Sequence, residues 1–231
     1  MAIDPSNGNF LLAGFRDCVY SSDDGGQSWH KSAGFTSNPL GLHIDQSSSI
    51  DQRRCFAAAK EGIFVSNDGG HSWEPVGEGL PDKELVDFAG GSTADQCVLY
   101  CTTESRVSEG EYIGGVYRST DGGQTWTQAM GSGIEISERT VTRGGKQQTV
   151  VPGYRFLATS NLRPATVYVV QRRPNQVFRS DNIGESWRPT FFADPKQEDF
   201  NVEPSYNLAE AGEYWTLPRL NLKSTPQDAI S

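Results

Sequence analysis

An octapeptide of the form Ser-x-Asp-x-Gly-x-Ser/Thr-Trp recurs along the chain, and this recurrence constrains the fold more than any other feature. Copies end at Trp29 (with Ser22, Asp24, Gly26), at Trp73 (Ser66, Asp68, Gly70) and at Trp126 (Ser119, Asp121, Gly123). A fourth ends at Trp187 with Ser180, Asn182 and Gly184, where Asn stands in place of Asp. Ten positions before each tryptophan sits a β-branched residue: Val19, Ile63, Val116, Val177. Nine positions before it sits an aromatic one: Tyr20, Phe64, Tyr117, Phe178. Agreement at so many columns marks an internal repeat, from which the architecture must be read.

Each copy has a local physical logic. A β-branched and aromatic run reads as a strand, and Asp-Gly-Gly supplies residues that tolerate positive φ, hence a hairpin turn. The Asp carboxylate accepts hydrogen bonds from amides of its own turn. The Trp opens the returning strand and packs its large apolar surface beneath the turn or against a neighbouring sheet. The octapeptide is therefore a structural clasp, and Asp24, Asp68 and Asp121 are committed to turns rather than free to act as acids.

The octapeptide resembles the Asp-box, or BNR, repeat of sialidases, xyloglucanase-type glycoside hydrolases and sortilin-type receptors. The wider phrase Gly115-Val116-Tyr117-Arg118-Ser119-Thr120-Asp121-Gly122-Gly123-Gln124-Thr125-Trp126 looks most like the xyloglucanase and sortilin branches. The resemblance covers residues 1 to about 192. It implies an all-β chain: a β-propeller of four-stranded antiparallel blades, with the box between strands three and four. It says little about activity, because the family keeps this hairpin away from its binding face.

The spacing from Trp29 to Trp73 suits four short strands and their turns. Blades are expected at about 1–33, 40–77, 84–130 and 153–192, with strands at 1–4, 10–15, 18–22 and 29–32 in the first. The next two spacings are longer. The excess lies in 103–114, between strands two and three of blade three, and in 131–153, ahead of blade four; both read as polar loops. After 192 the repeat is lost, and 193–231 reads as an irregular tail or the start of a missing blade. Blade one lacks most of its inner strand and no closing strand follows, so about four blades of an incomplete ring are expected, with the remaining blades in a full-length protein. Its end blades are then expected to expose apolar surface.

Composition narrows the partners. With 20 Lys and Arg against 29 Asp and Glu, the net charge is −9, so nucleic-acid phosphates would repel the chain. No apolar run approaches a membrane span. Met1-Ala2-Ile3-Asp4-Pro5 reads as a strand entering a turn rather than a secretion signal. The relatives it resembles are mostly secreted, so either the N-terminus is missing or the protein stays inside the cell. The four cysteines (Cys18, Cys55, Cys97, Cys101) show no metal-ligand spacing. Cys97 and Cys101 on one strand lie roughly 13 Å apart, too far to bridge. All four are expected as buried free thiols. His30, His43 and His71 are dispersed, so neither a metal site nor a hydrolase triad is expected. No cofactor is expected.

In an up-and-down blade the turns after strands one and three share one face. The two-to-three loops and the blade connections share the other. Both insertions therefore emerge opposite the boxes, at neighbouring positions, where a rigid scaffold usually carries its binding residues. Glu111, Tyr112, Glu138 and Arg139 are the candidate contacts, their mixed charge suiting a polar, uncharged ligand. A glycosidase needs two carboxylates about 5 to 10 Å apart, and Glu111 with Glu138 is one of several pairs that would serve; a solvated charged loop is the preferred account of them. Gly153-Tyr154-Arg155-Phe156 shares Tyr-Arg with a sialidase element but lacks its Ile-Pro, and no arginine triad is assignable. Two functions remain open: a non-catalytic scaffold for a glycan, peptide or protein, and part of a glycoside hydrolase whose catalytic groups lie partly outside this chain.

Overall fold

The computed structural model describes residues 1–80, 84–172 and 176–192. The expected tail at 193–231 lies outside them. Blade one is β1 (Ala2–Asp4), β2 (Asn7–Phe15), β3 (Cys18–Ser22) and β4 (His30–Lys31). Blade two is β5 (Gly41–Ile44), β6 (Cys55–Ala59), β7 (Gly62–Ser66) and β8 (Glu74–Val76). Blade three is β9 (Leu85–Ser92), β10 (Cys97–Ser108), β11 (Glu111–Ser119) and β12 (Thr127–Gln128). A separate hairpin, β13 (Arg139–Arg143) and β14 (Lys146–Val150), precedes blade four, which is β15 (Tyr154–Ser160), β16 (Arg163–Gln171), β17 (Gln176–Ser180) and β18 (Arg188–Phe192). Every blade is a four-stranded antiparallel sheet with its strands in sequence order. The architecture is a β-propeller, as the repeat implies.

The two insertions differ from expectation. Neither is a plain polar loop. Segment 103–114 lengthens β10 and β11 beyond a register shift between Thr103 and Arg106, and the hairpin closes at Ser108 and Glu111. Its two turn residues, Glu109 and Gly110, both have positive φ (54° and 86°), as a twist-matched two-residue hairpin requires. Within 131–153 the same device appears at Gly144–Gly145, between Arg143 and Lys146. Backbone hydrogen bonds carry both projections, because their exposed side chains leave little apolar surface to hold them.

Three apolar clusters fill the three junctions between successive blades. Strand alternation explains them: along β10, Val98 and Tyr100 face blade four while Leu99 and Cys101 face blade two. A strand covered on both sides has no polar alternation, hence the unbroken apolar run of 97–101. The tryptophans of the second, third and fourth boxes pack backward onto the preceding blade, which decides between the two packings left open by the sequence. Trp73, Trp126 and Trp187 are 5%, 3% and 5% exposed, whereas Trp29 is 38% exposed. Among the described residues no cluster joins blade four to blade one. The four cysteines are buried and unpaired, and burial pushes the thiols of Cys55, Cys97 and Cys101 well above their ordinary value.

A second repeated device, unread in the sequence, ties blade to blade. After strand four the chain forms a single parallel bridge to the next box: Ala33 to Ser72, Glu78 to Thr125, Ser132 to Ser186. The tryptophan amides of the following blade donate to these linkers: Trp73 to Ala33 at 3.0 Å, Trp126 to Glu78 at 2.8 Å, Trp187 to Ser132 at 2.7 Å. A glycine at positive φ follows each bridge (Gly34, Gly79, Gly133), and then an apolar residue that enters a junction cluster (Phe35, Leu80, Ile134).

The boxes behave as clasps. In the third, Asp121 accepts from the Ser119 hydroxyl at 2.7 Å, the Thr125 amide at 3.0 Å and the Thr125 hydroxyl at 2.5 Å. Ser119 Oγ accepts in turn from the Gly123 amide at 2.9 Å, and Trp126 Nε1 donates to the Gly123 carbonyl at 3.0 Å. The turn thereby satisfies its own amides. Burial pushes the Asp121 carboxyl up, but the bonds from Thr125 and Ser119 outweigh it and hold it below its ordinary value. In the fourth box Asn182 Oδ1 accepts the Ser186 amide at 3.0 Å, while its Nδ2 donates to Ser186 Oγ at 2.9 Å. Asp121→Ala should therefore lower stability by about 1 to 2 kcal/mol in a denaturant titration. Asn182→Asp should shift it by less than about 0.5 kcal/mol, since Ser186 can reverse its hydroxyl as Ser72 does toward Asp68.

Candidate functional site

The extension of β10 and the return of the β13–β14 hairpin come together at their roots, not at their tips. Between them lies a cleft of about 220 Å³, lined by Thr103, Glu104 and Ser105 on one side and by 150–155 on the other, with Val86 and Arg172. These positions fall at the two-to-three end of blade three and at the start of β15, on the side opposite the boxes. Arg155 Nη2 meets Glu104 Oε1 at 3.3 Å across the cleft. Both side chains are largely exposed, so this pair orients its partners more than it stabilises the fold. The hydroxyls of Thr103 and Ser105 are buried and make no hydrogen bond among the described residues. Thr103 is the last residue of β10 paired before the register shifts, opposite Gly115 and Leu85, and Ser105 lies within the unpaired stretch that follows.

The inner strand of blade four is bent at the same place. Phe156 holds φ of 59°, and the register of β15 shifts between Arg155 and Ala158. A non-glycine aromatic residue in this region is strained and needs neighbours to hold it. Asp87 of β9 supplies the hold: its carboxylate accepts the Leu157 amide at 2.7 Å and the Phe88 amide at 2.9 Å. Burial nevertheless pushes the Asp87 carboxyl above its ordinary value. Asp87 thus fixes the bulge from which Arg155 reaches Glu104. Sequence reasoning passed over Asp87, took Glu104 as one charged loop residue among several, and met Arg155 only in the incomplete sialidase-like element Gly153-Tyr154-Arg155-Phe156. The available signal was a lone acid inside an apolar inner strand, at Val86-Asp87-Phe88.

The four residues expected from the sequence divide between two places. Glu111 and Tyr112 lie exposed at the far end of the β10–β11 hairpin. Glu138 is exposed just before β13. Arg139 opens β13 and lines a second cavity of about 460 Å³ with Ile134, Glu135, Tyr154, Gln171 and Phe178. There Tyr154 donates its hydroxyl to the Glu135 carbonyl at 2.5 Å and accepts from Gln171 Nε2 at 2.9 Å. Among the described residues no hydrogen bond or ion pair joins Glu111 or Tyr112 to Glu138 or Arg139. Glu111 and Tyr112 belong to one insertion and Glu138 and Arg139 to the other, and none of the four is among the residues that line the cleft. No helix among the described residues is long and apolar enough to cross a membrane.

The blades and their clasps define a β-propeller built from Asp-box repeats. A family model described as BNR/Asp-box repeat matches residues 20–31 and 117–128, the third strand and box of blades one and three. A sialidase from Micromonospora viridifaciens is 23% identical over 234 residues, covering 90% of this chain and 32% of its own length. Among solved structures, the GH74 xyloglucanase from Xanthomonas campestris superposes with a TM-score of 0.57 at 21% identity, covering 82% of this chain and 29% of that one. The GH74 enzyme of Niastella koreensis gives a TM-score of 0.57 at 20% identity, with 83% and 29% covered. At these identities the solved structures establish the fold alone. The chain spans about a third of the length of the curated sialidase. It is an Asp-box repeat propeller, similar in sequence to a sialidase and in fold to GH74 enzymes.

Proposed function

We propose that this propeller is a non-catalytic scaffold that binds a polar, uncharged glycan or peptide in the cleft between blades three and four. Glu111, Tyr112, Glu138 and Arg139 act as outer contacts on the flanking hairpins. The observation that carries the reading is the convergence of both insertions on one polar cleft. Across it Arg155 and Glu104 neutralise each other, with Arg172 a further cation of the lining; one arginine beside a paired couple favours hydrogen bonding over the arginine cluster that captures a strong anion. A glycan is the first choice because the similar proteins are named as a sialidase and a xyloglucanase. The test is a glycan and peptide array, followed by titration of the best hit. Glu104→Ala and Arg155→Ala should each weaken binding tenfold or more, and Tyr112→Ala about threefold, with the fold intact by circular dichroism. Binding that survives Arg155→Ala unchanged, or that maps to Asp24 and Asp68, would reject this site.

One observation favours the second reading, a portion of a glycoside hydrolase. Burial pushes the Asp87 carboxyl above its ordinary value, the direction a general acid needs, in the residue next to Val86 of the cleft lining, while its two oxygens accept the Phe88 and Leu157 amides. On that reading the ionised partner comes from beyond this chain, and the chain alone releases no reducing sugar. Release of reducing sugar by a longer protein that contains this chain, abolished by Asp87→Asn with the fold intact by circular dichroism, would favour the hydrolase over the scaffold.

A further inference from the structure

We propose that His30 and His71 form a surface site for one borderline divalent cation, Zn²⁺ or Cu²⁺, across the junction of blades one and two. The fold brings together two residues that the sequence keeps apart. His30 opens β4 and is held there by its pairing with Ser21. His71 lies in the second box, where its carbonyl accepts the Ala33 amide of the linker at 2.9 Å. The linker that seats blade two on blade one therefore also sets one imidazole beside the other. Both side chains are exposed, and their ring centres stand 6.2 Å apart with planes 26° from parallel. Two imidazoles sharing one ion have ring centres roughly 5 to 6.5 Å apart, given metal–nitrogen bonds of about 2 Å. The observed separation falls inside that span, near its wide end. Exposed rings can make the remaining adjustment without disturbing the core.

One of the two is already prepared as a ligand. His71 Nδ1 lies 2.6 Å from the Asp68 carbonyl oxygen. A carbonyl can only accept, so Nδ1 carries the proton and Nε2 keeps a bare lone pair. Metal-bound histidines are held in the same way, the second ring nitrogen donating to a carbonyl or carboxylate. The His30 ring makes no hydrogen bond among the described residues, so either of its nitrogens is open to the ion.

The surroundings favour a cation. His71 also lines a cavity of about 240 Å³ together with Asp4, Asp23, Asp51, Asp68 and Arg53. Asp4 is spent on Arg53, and Asp68 on the amides and hydroxyls of its own turn. Asp23 and Asp51 are exposed, and their charges raise the local concentration of a cation. They stand off from the ion, since among the described residues no three His, Cys, Asp or Glu side chains are grouped to hold one. Water therefore completes the shell. Two imidazole nitrogens select Zn²⁺ or Cu²⁺ over Ca²⁺ and Mg²⁺, which take oxygen ligands.

The test is calorimetric titration of the chain with zinc chloride at neutral pH, with circular dichroism to check the fold. One ion should bind per chain, and calcium chloride should give no heat. His30→Ala and His71→Ala should each weaken zinc binding about tenfold or more. Zinc at about a hundredfold its Kd should raise the melting temperature of the parent by about 5 °C, and that of neither variant. One equivalent of Cu²⁺ should give an electron paramagnetic resonance spectrum split by two imidazole nitrogens, a pattern lost in either variant. Asp23→Asn and Asp51→Asn should weaken zinc only about twofold, as a field effect does. A loss above about tenfold at either would make that carboxylate a ligand and overturn the two-imidazole site. Zinc binding that is absent from the parent, unchanged in either histidine variant, or lost in only one of them overturns the proposal. Should an alanine variant disturb the fold, His30→Gln and His71→Gln take its place with the same expected losses.

Discussion

Replacing Asp4 by alanine should destabilise the protein by about 3 to 5 kcal/mol, the usual result of orphaning one member of a buried ion pair. Asp4 closes β1, and its carboxylate meets Arg53 Nε at 2.6 Å and Nη2 at 3.2 Å across the first blade junction. The side chain of Arg53 is 4% exposed and also donates to the Ser48 carbonyl at 2.5 Å. Without Asp4 the guanidinium would stay buried with its charge uncompensated. Blade two holds a matched control. Asp45 repeats the local geometry of Asp4: the Ser6 and Ser47 amides donate at 2.9 Å, and their hydroxyls at 2.7 Å. Its cation, Arg54, is 32% exposed and can rehydrate. Asp45→Ala should therefore cost only about 2 kcal/mol, mostly from lost hydrogen bonds. Asp4→Ala combined with Arg53→Met should recover part of the larger loss. Denaturant melts of the four proteins check the ordering, and equal losses at Asp4 and Asp45 would show that burial of the arginine is immaterial.

The same pair sets a pH window. Burial pushes the Asp4 carboxyl up, but the bonds from Arg53 and Ser6 outweigh it and leave it below its ordinary 3.8. A carboxyl depressed in the folded state adds stability above its ordinary value and loses it as pH falls through the depressed one. The gap between parent and Asp4→Ala should therefore be constant at neutral pH and narrow only below about pH 4.

What the sequence disclosed and what it hid have a common physical cause. The octapeptide was legible because its bonds are local: Ser66, Asp68, Gly70 and Ser72 contact one another within a few residues, so their columns keep fixed spacing. Strand three of every blade sits at a fixed distance from the tryptophan for the same reason. The linkers were not legible, because Ala33, Glu78 and Ser132 bond the next blade's box at separations that vary with each blade. Counting columns from one tryptophan cannot align them. The signal present was a glycine followed by an apolar residue soon after strand four. The polar content of 103–114 argued for a loop, yet Glu109-Gly110 between Val107 and Tyr112 was a readable hairpin turn. The cleft was hidden more deeply. It depends on a strained Phe156, which leaves no pattern within its own strand, and on Asp87, whose place as a lone acid between Val86 and Phe88 does not tell which blade it reaches.

Gly133→Ala should cost about 3 to 5 kcal/mol, from backbone strain and the loss of the bridge between blades three and four. Gly133 holds φ of 91°. A Cβ there would lie 2.0 Å from the Trp187 carbonyl oxygen and 3.0 Å from its carbon. Backbone on both sides leaves nothing flexible to yield. The linker would have to withdraw, stretching the bonds between Ser132 and both Glu185 (3.2 Å) and Trp187 (2.7 Å). Ile134 would be drawn out of the junction cluster that also holds Trp187 and Val98. The loss should be local in character: amides of blade four should exchange faster while those of blades one and two keep their protection, because a propeller junction couples neighbours more than distant blades. Gly8→Ala is the control, since a Cβ there meets nothing within 4 Å, and it should melt within about 0.5 kcal/mol of the parent. Exchange measured by mass spectrometry separates the outcomes. Uniform acceleration across all four blades would mean that the arc unfolds as one unit. No acceleration at all would mean that the linker tolerates a side chain and that the glycine is not what seats one blade on the next.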